Sequence, residues 1–157
     1  MKLSLQTGEN NPILRAIAKP IKTSELASLR LLGESMVKYV KNPKNKGIGL
    51  AAPQIGVSKR MIVVWLPKTR EDETYPTVLM INPTILSLWG EVDVDEEGCL
   101  SLPGIVGKVK RSTSVEVEWY DIKGIKMKKT ISGFGARVIQ HEVDHINWIL
   151  ISDKFLK

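Results

Sequence analysis

The sequence is poor in the groups from which proteins build disulfides, multi-ligand metal clusters and membrane spans. A single cysteine, Cys99, excludes an internal disulfide, so its thiol is left to packing, reactivity or metal ligation. There are only two histidines, His141 and His145. No apolar run approaches the about 18 residues of a transmembrane helix, and the lysine-containing start lacks an apolar signal core. The expectation is a soluble cytoplasmic protein with no membrane partner. Zinc-finger spacing, a phosphate-cradling G-x-x-x-x-G-K-[ST], and basic blocks interleaved with aromatics are all missing, so no specific nucleic-acid partner is expected. A net charge of +6 leaves only a weak pointer to a polyanion such as the ribosome, and most of it reads as solvated surface. Repeats, linkers and low-complexity tracts are missing too. What remains is a chain of 157 residues, 43% hydrophobic, expected to form one domain over residues 1–157 and to act as a monomer.

Both histidines fall in one short string, His141-Glu142-Val143-Asp144-His145. This is H-E-x-x-H inside a run, 134–150, that reads as helical. Residues four apart share a helix face, so the two imidazoles can reach one metal ion, with Glu142 between them to handle a proton of a metal-activated water. A buried helix with two hydrogen-bonded histidines is the plainer alternative. Concentration of the chain's only histidines here favours the metal.

The rest of the chain reads as α+β. Residues 1–22 look like an extended arm anchored by Ile13 and Leu14. From Thr23 to Lys41 apolar residues recur at helical spacing, with Thr23 or Ser24 as cap and Asn42-Pro43 as stop. The stretch Gly47-Ile48-Gly49-Leu50-Ala51-Ala52-Pro53-Gln54-Ile55-Gly56 describes backbone forced close to something. A structural turn explains its glycines but not the isolated Gln54. Arg60–Leu66 reads as a buried strand, followed by a polar loop from Pro67 to Pro76. Thr77–Asn82 reads as a strand ended by Pro83, with Ile85–Glu91 pairing back against it. After an acidic stretch and a Ser-Leu-Pro-Gly turn, Val109–Tyr120 alternates as a half-buried strand. A turn at Lys123-Gly124 leads into Ile125–Ile131, and Ser132 is the expected cap of the last helix. The predicted architecture is a set of mostly antiparallel strands around a central metal-binding helix, with one N-terminal helix.

A catalytic site of this kind takes three protein ligands. Metalloproteases with H-E-x-x-H recruit the third from downstream, but the segment after His145 holds neither histidine nor glutamate, and Asp153 is its only carboxylate. The search therefore turns upstream, to the acidic residues and Cys99. A soft thiolate next to a glycine and a turn favours Cys99 over a merely packed cysteine. On the helix, Phe134, Val138, His141 and His145 fall on one stripe, so Phe134 and Val138 can wall a pocket for a substrate side chain while also packing in the core.

Three segments, GIGLAAPQIG at 47–56, EGCLSLPG at 97–104 and QHEVDH at 140–145, resemble in order and spacing the signature segments of the peptide deformylases. PILRAIAKPI at 12–21 and ARVIQHE at 136–142 are similar to that family as well. The resemblance implies a metal-dependent hydrolase that removes the formyl group from the N-terminal formylmethionine of new proteins. It implies Cys99, His141 and His145 around one divalent ion, usually iron(II), with zinc, nickel or cobalt able to replace it. Glu142 would be the general base, and Gln54 with the backbone N–H of Leu100 would stabilise the oxyanion. Ile48, Gly49 and Gly98 would line an N-formylmethionyl peptide, with Phe134 and Val138 near its first side chain. A transient ribosome association is a further implied partner, and an organelle or a phage-infected host are alternative locations.

The chain departs from the family pattern where Trp148 replaces a usual glycine, which implies a locally different fit, an exposed ring or altered pocket access. It also stops at Lys157, where many relatives continue into a tail, so docking through such a tail is not expected. Asp144 reads either as a supporting partner acting through Arg111 or Arg137, or as a solvated charge. The rival functions are an endopeptidase and a non-catalytic peptide-binding relative. Retention of Glu142, Gln54 and every ligand speaks against the second.

Overall fold

Strand β2 (Met61–Trp65) has almost no polar face, and the layering of the molecule follows from it. Strand side chains alternate, so Met61 and Val63 enter one core while Ile62 and Val64 enter another. The first core receives Leu32, Met36 and Val40 from helix α1 (Leu26–Lys41). The second receives Ala136, Ile139, Val143 and Ile146 from helix α2 (Phe134–Ile146). Burial from both sides is why β2 reads as an unbroken apolar run.

The computed structural model describes residues 3–67 and 76–157 and has the expected α+β architecture. The polar loop expected from Pro67 to Pro76 lies, apart from those two prolines, outside the described residues. Five antiparallel strands pair in chain order: β1 (Gly49–Ala51), β2, β3 (Thr77–Cys99), β4 (Leu102–Tyr120) and β5 (Lys126–Ser132). The N-terminal arm is tied down by one of its two expected anchors, Leu14; Ile13 is only half-buried, and residues 12–15 form turns where an extended arm was expected. Leu14 is fully buried with Leu102, Leu150 and Ile151 in a third cluster, and Ile17 and Lys19 bridge to Asn147 and Lys59.

Several local expectations are corrected. Pro83 does not end a strand, and Ile85–Glu91 does not fold back on Thr77–Asn82. Instead β3 runs through a register shift between Ile81 and Thr84, where Asn82 takes φ 50°. Before the shift β3 pairs with β2; beyond it, only with β4. An irregularity of this kind tolerates a proline that cannot donate to the ladder. The Asn82 side chain closes a pseudo-ladder of its own, accepting from Ile21 N and donating to Ile21 O, both at 2.8 Å. The turn after Cys99 is Leu100-Ser101, since Cys99 pairs with Leu102; Pro103 and Gly104 already belong to β4.

Helix ends differ as well. Thr23 and Ser24 lie in a short 3-10 turn, and α1 begins only after Glu25, without a side-chain cap. Ser132 is the last residue of β5, its Oγ 2.8 Å from Ser114 Oγ, and Gly133 at φ 71° takes the cap position of α2. Helix α2 stops at Ile146, not Leu150. Asn147 N and Ile149 N both donate to Asp144 O, at 2.9 and 3.0 Å, with Trp148 between them at φ 63°. This is a Schellman-type ending whose left-handed residue is ordinarily glycine. Trp148 is half exposed and strains this helix end. Trp148→Gly is expected to raise stability by about 0.5–1 kcal/mol, the left-handed penalty less the added freedom of the unfolded chain. Urea unfolding with an unchanged m-value checks it; a lower midpoint would show that the ring's contacts outweigh the strain.

Candidate metal centre

Helix α2 presents His141 and His145 one turn apart, their ring centroids 5.0 Å from each other. The end of β3 delivers Cys99 to the same point, with its Sγ 3.2 Å from His145 Nε2. One potential ligand atom from each of the three residues lies within 4.8 Å of the others. Bonds of about 2.0–2.3 Å around a tetrahedral ion would separate its ligands by roughly 3.5 Å, so small adjustments suffice. The surroundings also fit an ion. Glu142 Oε2 is buried yet has no hydrogen-bond partner among the described residues. Buried polar atoms are rarely left unpaired unless something else binds there.

The residue that orders this centre is Glu97, which sequence reasoning passed over as one of an acidic run. Strand alternation turns its side chain inward, where it is buried. Its Oε1 accepts from Arg111 Nε at 2.9 Å and Arg137 Nη1 at 2.8 Å, and its Oε2 accepts from Arg111 Nη2 at 3.0 Å. Oε2 also lies 3.0 Å from His141 Nδ1. A carboxylate can only accept, so Nδ1 carries the proton and Nε2 is free to face the ion. Arg111 reaches on to Asp144, which settles Asp144 as a supporting partner acting through Arg111. The only sequence signal was an acidic residue two places before Cys99.

Electrostatics follow from this burial. Desolvation would raise the Glu97 carboxyl, but hydrogen bonds from His141 and Arg111 outweigh it and hold Glu97 far below the usual carboxylate range. Desolvation would likewise lower His141, yet bonds to Cys99 and Glu97 and the Glu142 charge push it up to about 10. His145, buried and facing a charged His141, is held well below its ordinary value. Burial raises Glu142 to about 7, in the range suited to a proton-transfer group near neutrality. Without a metal the cluster thus holds a proton on His141, which a cation would displace.

Gln54 is buried beside the Cys99 sulfur. Its Oε1 accepts from Ala51 N at 2.8 Å, which fixes the amide so that Nε2 donates to Ser101 Oγ at 3.2 Å and Cys99 Sγ at 3.6 Å. Ser101, fully buried, was not foreseen. The glycine loop also has its explanation: a Cβ on Gly49 would come within 2.3 Å of Glu142 Oε1, so the strand lies directly on the carboxylate. A cavity of about 590 Å³ opens over the centre. Ile48, Gly49 and Gln54 form one wall and Gly98, Leu100, Phe134 and Val138 line the others, with Cys99, His141 and Glu142 at their junction. Of the catalytic, substrate-lining and metal-ligating residues expected from sequence, only His145 contributes no wall, being almost completely buried beside Cys99. Asp153 is far from this, paired with Arg15.

Residues 6–157 match the family model described as polypeptide deformylase. A peptide deformylase of Halothermothrix orenii is 42% identical over 94% of this chain and 90% of its own length. One of Desulforudis audaxviator is 39% identical over 92% of this chain and 88% of its own. A Met-Ala-Ser-bound class I type b peptide deformylase of Acinetobacter baumannii superposes with a TM-score of 0.88 at 35% identity, covering 99% of each chain.

Glu97→Gln is expected to weaken divalent-metal affinity about 10- to 100-fold, because it removes the charge that holds His141 in its ligating tautomer. Chelator competition on the purified protein measures this, and an unchanged affinity would relegate Glu97 to packing.

Proposed function

This chain belongs to the polypeptide deformylase family, the metal-dependent hydrolases that remove the N-formyl group from nascent peptides, and on that premise we propose how its residues divide the reaction. Cys99, His141 and His145 hold one divalent ion, iron(II) by family resemblance; the same donors accept zinc, nickel or cobalt. When bound, the ion supplies a Lewis acid that lets water act as a nucleophile near neutral pH. Glu142 accepts the proton of the attacking water and returns one to the departing amine. As charge builds on the formyl oxygen, Gln54 Nε2 and the backbone N–H of Leu100 donate to it. The pinned amide of Gln54 loses little freedom in doing so, since Ala51 N already fixes its far end.

The peptide lies along Ile48 and Gly49 as an added strand, opposite Gly98, with the methionine side chain between Phe134 and Val138. Support comes from the free edge of β1, whose only strand partner among the described residues is β2. The Met-Ala-Ser peptide in the Acinetobacter baumannii relative is consistent with a peptide groove. We take the chain to be one catalytic domain, working as a cytoplasmic monomer with transient access to the ribosome. Among the described residues no helix is long and apolar enough to cross a membrane. The observation that carries the reading is the meeting of Cys99, Gln54 Nε2 and the unpaired Glu142 Oε2 at one opening.

With iron(II) or nickel bound, the protein is expected to deformylate formyl-Met-Ala-Ser. Glu142→Ala should keep the metal and lose turnover, whereas Cys99→Ala should lose the metal itself. Substantial activity in the first variant, or full metal content in the second, would remove the corresponding role. Gly49→Ala should act through Glu142, since the atoms nearest the added methyl are its Oε1, Cδ and Cγ, and metal content checks that the ligands stay in place. The variant's kcat should fall about 100-fold from displacement of that carboxylate. An unchanged kcat would mean that Glu142 tolerates a different seat.

A further inference from the structure

The mouth of the groove carries a charge that the chemistry leaves unused. Lys46 ends the 3-10 turn Pro43–Asn45 in the left-handed conformation, φ 53°, immediately before the substrate-lining strand. It lines the same cavity as Gly47, Ile48 and Gly49, and it is exposed. Its ammonium makes no ion pair or hydrogen bond within the described residues. The other charged wall groups at this level are engaged. Arg137 is buried against Glu97, and Glu96 on the facing wall has an interaction of its own.

Distance along the strand gives the register. Gly49 lies on the Glu142 carboxylate, at the reacting end, and Lys46 is three residues back. At about 3.3 Å per residue that is roughly 10 Å of extended backbone. A formylmethionyl peptide running along the same strand brings its third residue to that distance from the formyl carbon.

We propose that Lys46 is a specificity residue that favours peptides with a carboxylate at the third position. The proposal rests on the placement of the peptide along Ile48 and Gly49. In a nascent chain the carboxylate is an Asp or Glu side chain; in a free tripeptide it can equally be the terminal carboxylate. Lys46 contacts no reacting atom, so it acts on binding and encounter and leaves the chemical step alone.

The test compares formyl-Met-Ala-Asp-Ala-amide with its Asn and Lys counterparts on the metal-loaded enzyme, at low salt and in about 0.5 M KCl. The expected order in kcat/KM is Asp over Asn over Lys, by about three- to fivefold per step. It should be expressed in KM and compressed by salt. Lys46→Glu should reverse the order of Asp and Lys, and Lys46→Asn, which suits the left-handed backbone, should abolish it. Formyl-Met-Ala-Ala as free acid and as amide separates the terminal source: a preference for the acid that Lys46→Glu removes assigns it to the same ammonium. Equal ratios in the unaltered enzyme and Lys46→Glu would overturn the proposal. Turnover of the Asn peptide by all variants reports on deformylation by itself, so loss of charge preference alone leaves the wider reading intact. Its complete failure in the unaltered enzyme removes both.

Discussion

Four donors converge on the two oxygens of Glu97, and the site depends on that convergence. Two arginines, from β4 and α2, and one histidine of the metal-binding pair are held by a single buried carboxylate. A buried carboxylate with fewer partners would protonate or destabilise the fold. Here the count of charged groups makes burial tolerable: Arg111 is shared with Asp144, and Arg137 also reaches Asp93. The same network joins β3, β4 and α2, so the element that carries Cys99 and the element that carries both histidines are locked together beside the ligands. Orientation of His141 is thus a property of the sheet–helix interface as much as of the helix.

Much of this was legible in the sequence because it rests on short-range rules. Helical spacing put His141 and His145 on one face, the missing downstream ligand directed attention to Cys99, and β-branched runs marked β2. What stayed hidden depends on partners distant in sequence. Glu97 looked like its acidic neighbours until strand alternation and two remote arginines gave it a buried role. The 23-residue β3 was read as two strands because a proline ordinarily interrupts a ladder, and only the change of partner at Ile81 shows why this one does not. Ser132 had the right composition for a cap, but Gly133 had the backbone freedom. The glycine loop was correctly marked as a close approach; which group approached it needed the position of Glu142.

The peptide groove is built from backbone on one side and from a helix on the other, and the two serve different purposes. Edge strand β1 offers hydrogen-bonding groups that any sequence can satisfy, which suits an enzyme facing every new protein. Under the proposed placement of the peptide, discrimination would fall to side chains at the two ends, the apolar wall of α2 at the reacting end and the ammonium of Lys46 at the mouth.

The N-terminal arm bears on the order in which this molecule can be made. Gln6 N donates to Gln54 O and Gly8 N to Ser101 O, directly behind two groups of the site, while Ala18 N reaches Ile146 O and Arg15 pairs with Asp153 across 138 positions of sequence. Gln6 and Gly8 can thus pair once residues 54 and 101 are made, whereas the contacts of Ala18 and Arg15 wait for Ile146 and Asp153. During synthesis the thiol of Cys99 is threaded out long before the imidazoles that complete its cluster, and loop closures of this length are slow. The cluster is therefore assembled only after the chain has run through α2, so the thiol of Cys99 exists for a time without the imidazoles that complete it.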